Sequence, residues 1–436
     1  MKKGIIALLL TLAVIVLVSP GIVGKLAEQS VEENLNWAAT ESGELVITSS
    51  IIDRGWFSSE GQHRIELGDG AIRATVAGDG EALPVLVINT RLDHGLIPFT
   101  SMAREGGSLA PGLGSAVSTL VVEYGAGETF EIPGKIYSEI GLGGDLQSSY
   151  VLKAGSQTTA GNTATWEPVR IDVSIGPRSG GVTFDGDIGA VSFEIDQNVV
   201  SIDGLTFRGK QTQTQYGFTT GNLEATLGAV ELVTDGLPTG GLDSLTVTAN
   251  SAVNDGRLDA NTRLQIDGQI IPGFGDISVT ANIVLAGADA KAIATVSRRL
   301  KSMSGPQDPM QMMMLAAEDF KHLFAEGFEV RLDQLDVVLP VGTVKSKLSI
   351  EIPQSDRASF EWTSLLLGIV ASAEITLPQA LVDLAMQMNP QVASNLISMG
   401  FLKQSGDIYQ MEARYKKGVL TVNGAPIPIP LGAFMD

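Results

Sequence analysis

The feature that most restricts how this chain can fold is a two-residue rhythm of apolar and polar side chains from about residue 44 to 290, interrupted by glycine, asparagine and aspartate. The runs "ELVITSSIIDRG", "GVTFDGDIGAVSFEID", "VVSIDGLTFRG", "SLTVTAN" and "DISVTANIVLAG" place β-branched or aromatic residues at near-alternating positions. Successive side chains of a strand point to opposite faces, so each run can bury one face and wet the other. Val182 and Phe184, then Val191, Phe193 and Ile195, are expected to share one face of their strands. Asp185, Asp187, Ser192 and Glu194 fall largely opposite. The spacing predicts a long antiparallel meander. No strict repeat of fixed period accompanies it, and no Pro-rich or Gly/Ser-rich linker cuts the body.

Two helical insertions interrupt the pattern late in the chain. In "SGPQDPMQMMMLAAEDFKHLFAEGF", Asp308 is an expected N-cap, Pro309 suits the first helical position and Gly327 a C-terminal stop. Met313, Ala316, Ala317, Phe320, Leu323 and Phe324 form its apolar stripe. In "LPQALVDLAMQMNPQVASNLISMG", Pro378 opens one helix, Asn389-Pro390 restarts another and Gly400 ends it. Strands return around 328 to 376 and at "GDIYQMEARYKKGVLTVNG". The run "SLLLGIVASA" from Ser364 is too short for a membrane span and is expected as a fully buried strand. The methionines at 310, 312, 313, 314, 386, 388 and 399 are expected to fill core gaps.

Ahead of this body, Lys2 and Lys3 precede an uncharged segment from Gly4 to Gly24. As a helix those residues would span roughly 31 Å, about the thickness of a bilayer's hydrocarbon core. Ser19-Pro20-Gly21 offers a poor cleavage site and the chain has no cysteine for lipoprotein processing, so an uncleaved anchor is expected. The lysines would stay cytoplasmic and the body would face the other side. Residues 25–43 read as a juxtamembrane helix, with Leu26, Val31, Leu35 and Trp37 between acidic and amide residues. The expected organisation is thus a 1–24 anchor, a 25–43 helix, a 44–300 β-rich body and a 301–436 α+β part. The fold class is mainly β with a few helices, built on an elongated, twisted antiparallel sheet.

Composition narrows the function. Of 436 residues, 44% are hydrophobic and 18% charged, the balance of an ordered protein with a sizeable core. With Lys2 and Lys3 left behind, the translocated part carries 27 basic and 49 acidic residues, a formal charge of −22 that argues against nucleic acid as a partner. Catalytic constellations are not found. If "VLVINTRLDHG" is a strand, Asp93 and His94 project to opposite faces, so Asp93 cannot orient His94 as a triad carboxylate would; its natural partner is Arg91. No G-x-S-x-G motif is present. His63, His94 and His322 lack zinc-motif spacing, and no cofactor or metal is expected. "DGDIGAVSFEID" starts like a calcium loop at Asp185 and Asp187, but it has Gly189 fifth and Asp196 twelfth; solvated turn carboxylates are expected instead. "GLGGDL" lacks the lysine of a phosphate-binding loop.

Several short elements occur in a telling order: Arg54-Gly55 with Phe57-Ser58-Ser59, Asp93-His94-Gly95 with Pro98, and Tyr415 through Gly418 to Asn423-Gly424. Together they resemble the YdgA-like family of Gram-negative bacteria, also called domain-of-unknown-function family 945. The resemblance covers essentially the whole chain. It departs after His94-Gly95, where Leu96 and Ile97 precede Pro98-Phe99. It implies a single-pass inner-membrane protein whose body faces the periplasm, without assigned catalytic residues. The single anchor and β-rich body also look distantly like AsmA-type envelope proteins, whose curved sheets form apolar grooves.

The resulting expectation is a non-enzymatic envelope protein that binds a lipid or other apolar ligand, or scaffolds an envelope partner. The alternative is a periplasmic hydrolase using His94 with a carboxylate such as Asp53 or Glu60. Self-association through sheet edges or the methionine-rich helix is compatible with either. The motif residues are expected to be architectural.

Overall fold

A computed structural model describes residues 45–54, 58–68, 83–94, 112–123, 129–141, 145–159, 162–176, 181–195, 198–269, 275–302, 317–356 and 360–427. The segments expected as an anchor and juxtamembrane helix lie outside these, as do Gly55, Phe57, Gly95 and Pro98. The chain divides into two compact units: Met1–Asp196 with Gly204–Gln213 and Lys301–Asp308, and Gln197–Asp203 with Thr214–Leu300 and Pro309–Asp436.

In the first unit the strands are β1 (Leu45–Arg54), β2 (Ser58–Leu67), β3 (Val85–His94), β4 (Gly112–Glu123), β5 (Thr129–Gly141), β6 (Leu146–Leu152), β7 (Gly155–Thr159), β8 (Asn162–Trp166), β9 (Val169–Ile175), β10 (Val182–Ile188) and β11 (Val191–Ile195). After β12 (Asn198–Ile202), which belongs to the second unit, β13 (Leu205–Gln213) returns to the first. The main sheet runs antiparallel through β1, β2, β3, β4, β5, β6, β9, β10 and β13. Strands β7, β8 and β11 pair separately. The expected meander is therefore present, with short strands branching from it.

Register places one apolar face along this sheet. His63, Ile65 and Leu67 lie beside Leu86 and Ile88, then Leu120 and Val122, Ile132, Leu146 and Tyr150, and Ile171, Val173 and Ile175; all are buried. The hydroxyls on this face find partners across neighbouring strands: Ser138 Oγ and Ser148 Oγ are 3.0 Å apart, and Thr90 Oγ1 and Ser118 Oγ 2.7 Å. A dry core tolerates polar atoms only when they are paired in this way. Tyr150 donates its hydroxyl to the Pro133 carbonyl at 2.7 Å, holding a bulge at which Gly134 adopts φ 106°. Burial pushes the Tyr150 pKa up to about 12. On the opposite face, Arg64 of β2 reaches over β3 to Glu123 of β4 (2.9 Å).

The alternation expected around residue 185 is also present. Phe184 and Ile188 turn inward, whereas Asp185 and Asp187 are exposed. These two carboxylates stand within β10, opposite Arg208 and Thr206, rather than in a turn. The reason is Gly186 between them: it faces Phe207, whose ring would lie 2.3 Å from a Cβ there, so the glycine serves close strand packing.

The second unit continues with β14 (Thr219–Leu227), β15 (Val230–Thr234), β16 (Leu237–Leu242), β17 (Ser244–Asn254), β18 (Arg257–Gly268) and β19 (Ile277–Asp289). Then follow helices α1 (Ala290–Ser302) and α2 (Ala317–Ala325), strands β20 (Phe328–Leu339) and β21 (Gly342–Ile352), helix α3 (Trp362–Gly368) and β22 (Val370–Pro378). Helices α4 (Gln379–Met388) and α5 (Pro390–Ser398) precede β23 (Lys403–Ser405), β24 (Ile408–Lys416), β25 (Val419–Val422) and β26 (Ala425–Ile427). The main sheet runs β14, β17, β18, β19, β20, β21, β22, β24, β25, β26, with β23 also on β24. Strands β12, β15 and β16 pair apart from it, and four hairpins of the unit turn on Asp235-Gly236 (between β15 and β16), Asp255-Gly256, Lys417-Gly418 and Asn423-Gly424, with φ of 49–54° at the first residue and 76–81° at the glycine. Positive φ at both positions is the type I′ geometry that matches strand twist.

Two segments differ from the sequence expectation. Ser364–Gly368 is helical, and the strand begins only at Val370. Three consecutive leucines carry no β-branched preference for a strand, whereas Ile369 and Val370 do. Helix α1 was not anticipated. Its small residues alternate like a strand's, but the Asp289 carboxylate accepts from the Ala292 amide (2.7 Å) and caps a helix there. Helix α2 covers the described end of the methionine-rich insertion. Its Leu323 packs with Ala292 and Val296 of α1, against Phe320 and Phe328. Helices α4 and α5 start and restart where Pro378 and Asn389-Pro390 indicated.

Candidate functional site

The second sheet also segregates its side chains, and its apolar face is the candidate site. Directly paired residues share a face, so the register assembles the site row by row. Leu245, Val247 and Ala249 of β17 meet Ile266, Leu264 and Thr262 of β18. These meet Val279, Ala281 and Ile283 of β19, which lie beside Val337, Leu335 and Leu332 of β20. Val344, Leu348 and Ile350 of β21 follow, then Ala371, Ala373 and Ile375 of β22, and finally Tyr415, Ala413 and Met411 of β24. From β14 to β24 the face crosses eight strands, roughly 34 Å at ordinary strand spacing.

Unlike its counterpart in the first unit, this face is half-exposed along most of its length. Ile283 is 51% exposed and Leu348 38%. Helices flank it at both strand ends. At one end α1, α2 and α3 adjoin the ends of β19, β20 and β22, with Phe328 packed against α1 and α2. At the other, α4 leaves directly from β22 at Pro378. Arg257 fixes the first of these ends: its guanidinium donates to the carbonyls of Glu326 (2.9 Å) and Gly287 (3.1 Å), joining the terminus of α2 to β19. Single exposed apolar residues are ordinary on a soluble protein, whereas a contiguous face of this length is not, which makes it the candidate site.

The reverse face is polar. Asp333 and Glu329 flank the Arg331 guanidinium at 3.0 and 2.6 Å and hold its pKa above the usual value. Ser278, then Gln265 and Ser244, hydrogen-bond the Asp267 carboxyl and hold its pKa below the usual carboxylate range. Arg414 and Glu412 form a further ion pair there.

The motif residues separate by unit. In the first, Arg54 pairs with Ser59, Ser58 with Asp93, Asp93 with Ser115, and His94 with Gly114. The fold thus brings the Arg54–Ser59 and Asp93-His94 elements together at one end of β1, β2 and β3. The side chains of Asp53, Asp93 and His94 lie outside the described residues, so their expected partnerships do too. His63 is a buried strand residue, and His322 lies on α2. Among the described residues, no cluster of histidine, aspartate or glutamate could hold a metal ion.

In the second unit, the C-terminal motif has explicit structural roles. The Tyr415 hydroxyl donates to the Leu366 carbonyl of α3 at 2.6 Å. Gly418 and Gly424 occupy the second positions of two type I′ turns. Asn423, at φ 49°, accepts from the Glu412 amide (2.9 Å) and donates its side-chain amide to the carbonyls of Gly400 (2.8 Å) and Phe401 (3.1 Å). It therefore clamps the end of α5 to the sheet. The family resemblance singled out Asn423 but carried no sign of partners 22 and 23 residues away.

A family model described as a bacterial protein of unknown function (DUF945) matches residues 1–430. No curated protein and no solved structure matches the chain, so neither comparison returns an AsmA-type protein.

Proposed function

The chain belongs to the bacterial family of proteins of unknown function DUF945, and we propose that it is a non-enzymatic, membrane-anchored envelope protein whose second sheet holds a lipid or another apolar ligand. The observation that supports this reading is the open apolar face of β14 to β24, with Ile283 and Leu348 at its exposed centre. Most side chains there are aliphatic or small, and the Tyr415 hydroxyl is already engaged by the Leu366 carbonyl, so the face offers contact area and shape rather than a hydrogen-bonding code. That suits hydrocarbon. In this reading the uncharged Gly4–Gly24 segment tethers the body at the inner membrane, and the body works in the periplasm. No helix among the described residues is long and apolar enough to cross a membrane; the proposed anchor lies outside them.

Native mass spectrometry of the full-length chain in mild detergent, with lipid extraction, tests this. A phospholipid should survive delipidating washes, and the double substitution Ile283→Glu with Leu348→Glu should abolish its retention. Both positions are exposed, so each change should alter stability by no more than about 0.5 kcal/mol. Equal lipid content in the two proteins, or none in either, would overturn the reading. Cross-linking in cells would then be the route to a protein partner for this face.

A further inference from the structure

Helices α4 and α5 form a hairpin that carries its own exposed apolar stripe, distinct from the sheet face. Met388 at the end of α4 is 80% exposed; Val392, Leu396 and Met399 follow at helical spacing, with Val392 54% and Met399 65% exposed. Only Val382 and Ala393 of the two helices are buried. The stripe is thus not the inner side of a packed layer, although residues at such spacing normally would be.

Its charge content identifies the surface that would cover it. From Pro378 to Leu402 the 25 residues contain one charged side chain, Asp383, in a chain of which 18% is charged. The neighbours of the stripe are amides and hydroxyls: Gln391, Ser394, Asn395 and Ser398. A protein interface normally keeps a charged or polar rim around its apolar centre. A hydrocarbon layer penalises every charge brought into it, whereas amides and hydroxyls can remain among headgroups. The hairpin is also held firmly. Asn423 fixes Gly400 and Phe401, and the Lys403 ammonium donates to the Asn423 carbonyl at 2.9 Å.

We propose that the α4–α5 hairpin dips into the surface of a lipid bilayer, inserting Met388, Val392, Leu396 and Met399 beneath the headgroups. The inference rests on the reading of the chain as membrane-tethered, which would keep a bilayer permanently within reach, and it gives the apolar sheet a route to its ligand. Because the hairpin has no lysine or arginine, the contact is hydrophobic and insensitive to salt.

The absence of cysteine from the chain makes the test clean. Full-length Val392→Cys and Met399→Cys, each labelled with an environment-sensitive fluorophore, would be reconstituted in phosphatidylethanolamine–phosphatidylglycerol vesicles. Glu374→Cys on the polar sheet face is the control. Both hairpin labels should shift to the blue and be quenched severalfold by spin-labelled acyl chains, at low and high salt alike, while the control stays in water. Water-like emission at both positions would overturn the proposal. A blue shift without lipid quenching would also overturn it, because a protein would then cover the hairpin. Lipid retention measured on the same preparations separates the two readings: lipid retained with unquenched labels overturns the hairpin alone, and quenched labels without retained lipid overturn the sheet reading alone.

Discussion

Ile88 and Ile283 both stand on the apolar face of an interior strand, one in each unit, yet Ile88 is 2% exposed and Ile283 51%. Around Ile88 the face is sealed, its hydroxyls are paired and Tyr150 is buried deeply enough to resist ionisation. Around Ile283 the same alternation remains half-exposed, and the described helices nearest it adjoin the strand ends. Alternation therefore specifies which face is apolar and leaves open whether that face becomes core. The first sheet buries its apolar face as core; the second leaves its face half-exposed.

The largest effect that would break this comparison concerns truncation. Ile88→Ala should cost about 2–5 kcal/mol, as for other buried large-to-small changes. Ile283→Ala should stay within about 0.5 kcal/mol. Denaturant unfolding followed by hydrogen exchange in each unit would measure both, and similar costs would mean that the second face is as closed as the first.

Alkaline pH should act on the first unit. Burial raises the folded pKa of Tyr150 from the ordinary 10.0 to about 12, so its stabilising contribution is complete below pH 10.0 and lost as pH rises through about 12. The loss approaches roughly 2–3 kcal/mol and should vanish in Tyr150→Phe, monitored by unfolding across that window.

In the second unit, Asn423→Ala removes the clamp on α5 and should cost about 1–3 kcal/mol by leaving hydrogen-bonding groups unpaired. Faster amide exchange confined to α5 and its connection to β23 would be the signature; uniform exchange across the sheet would argue against a local clamp. The smallest expected effect is on the acid side. Asp267 has a depressed folded pKa, so its contribution is present above the ordinary carboxylate range and lost as pH falls through its lower folded value. Asp267→Asn should flatten that acid slope.

Much of the fold was legible because it depends on neighbours in sequence. The period of two marks the strands, Pro378 and Asn389-Pro390 mark the helix starts, and the Asn423-Gly424 turn needs only residues that tolerate positive φ. Helix α1 was hidden because alternating small residues satisfy both periods until Asp289 caps one of them. Helix α3 was hidden because burial was expected where a leucine run instead turns and leaves Leu367 exposed. For the candidate site, the apolar rows could be read strand by strand, but their openness could not.

By itself, then, the sequence determined that the chain would build sheets with one apolar face, since side-chain alternation is a property of a single strand. Tertiary structure alone decided that Ile88 would be sealed and Ile283 left open, and that Asn423 would reach Gly400 and Phe401. Those outcomes depend on what packs over a face or beside a turn, and such neighbours come from distant parts of the chain.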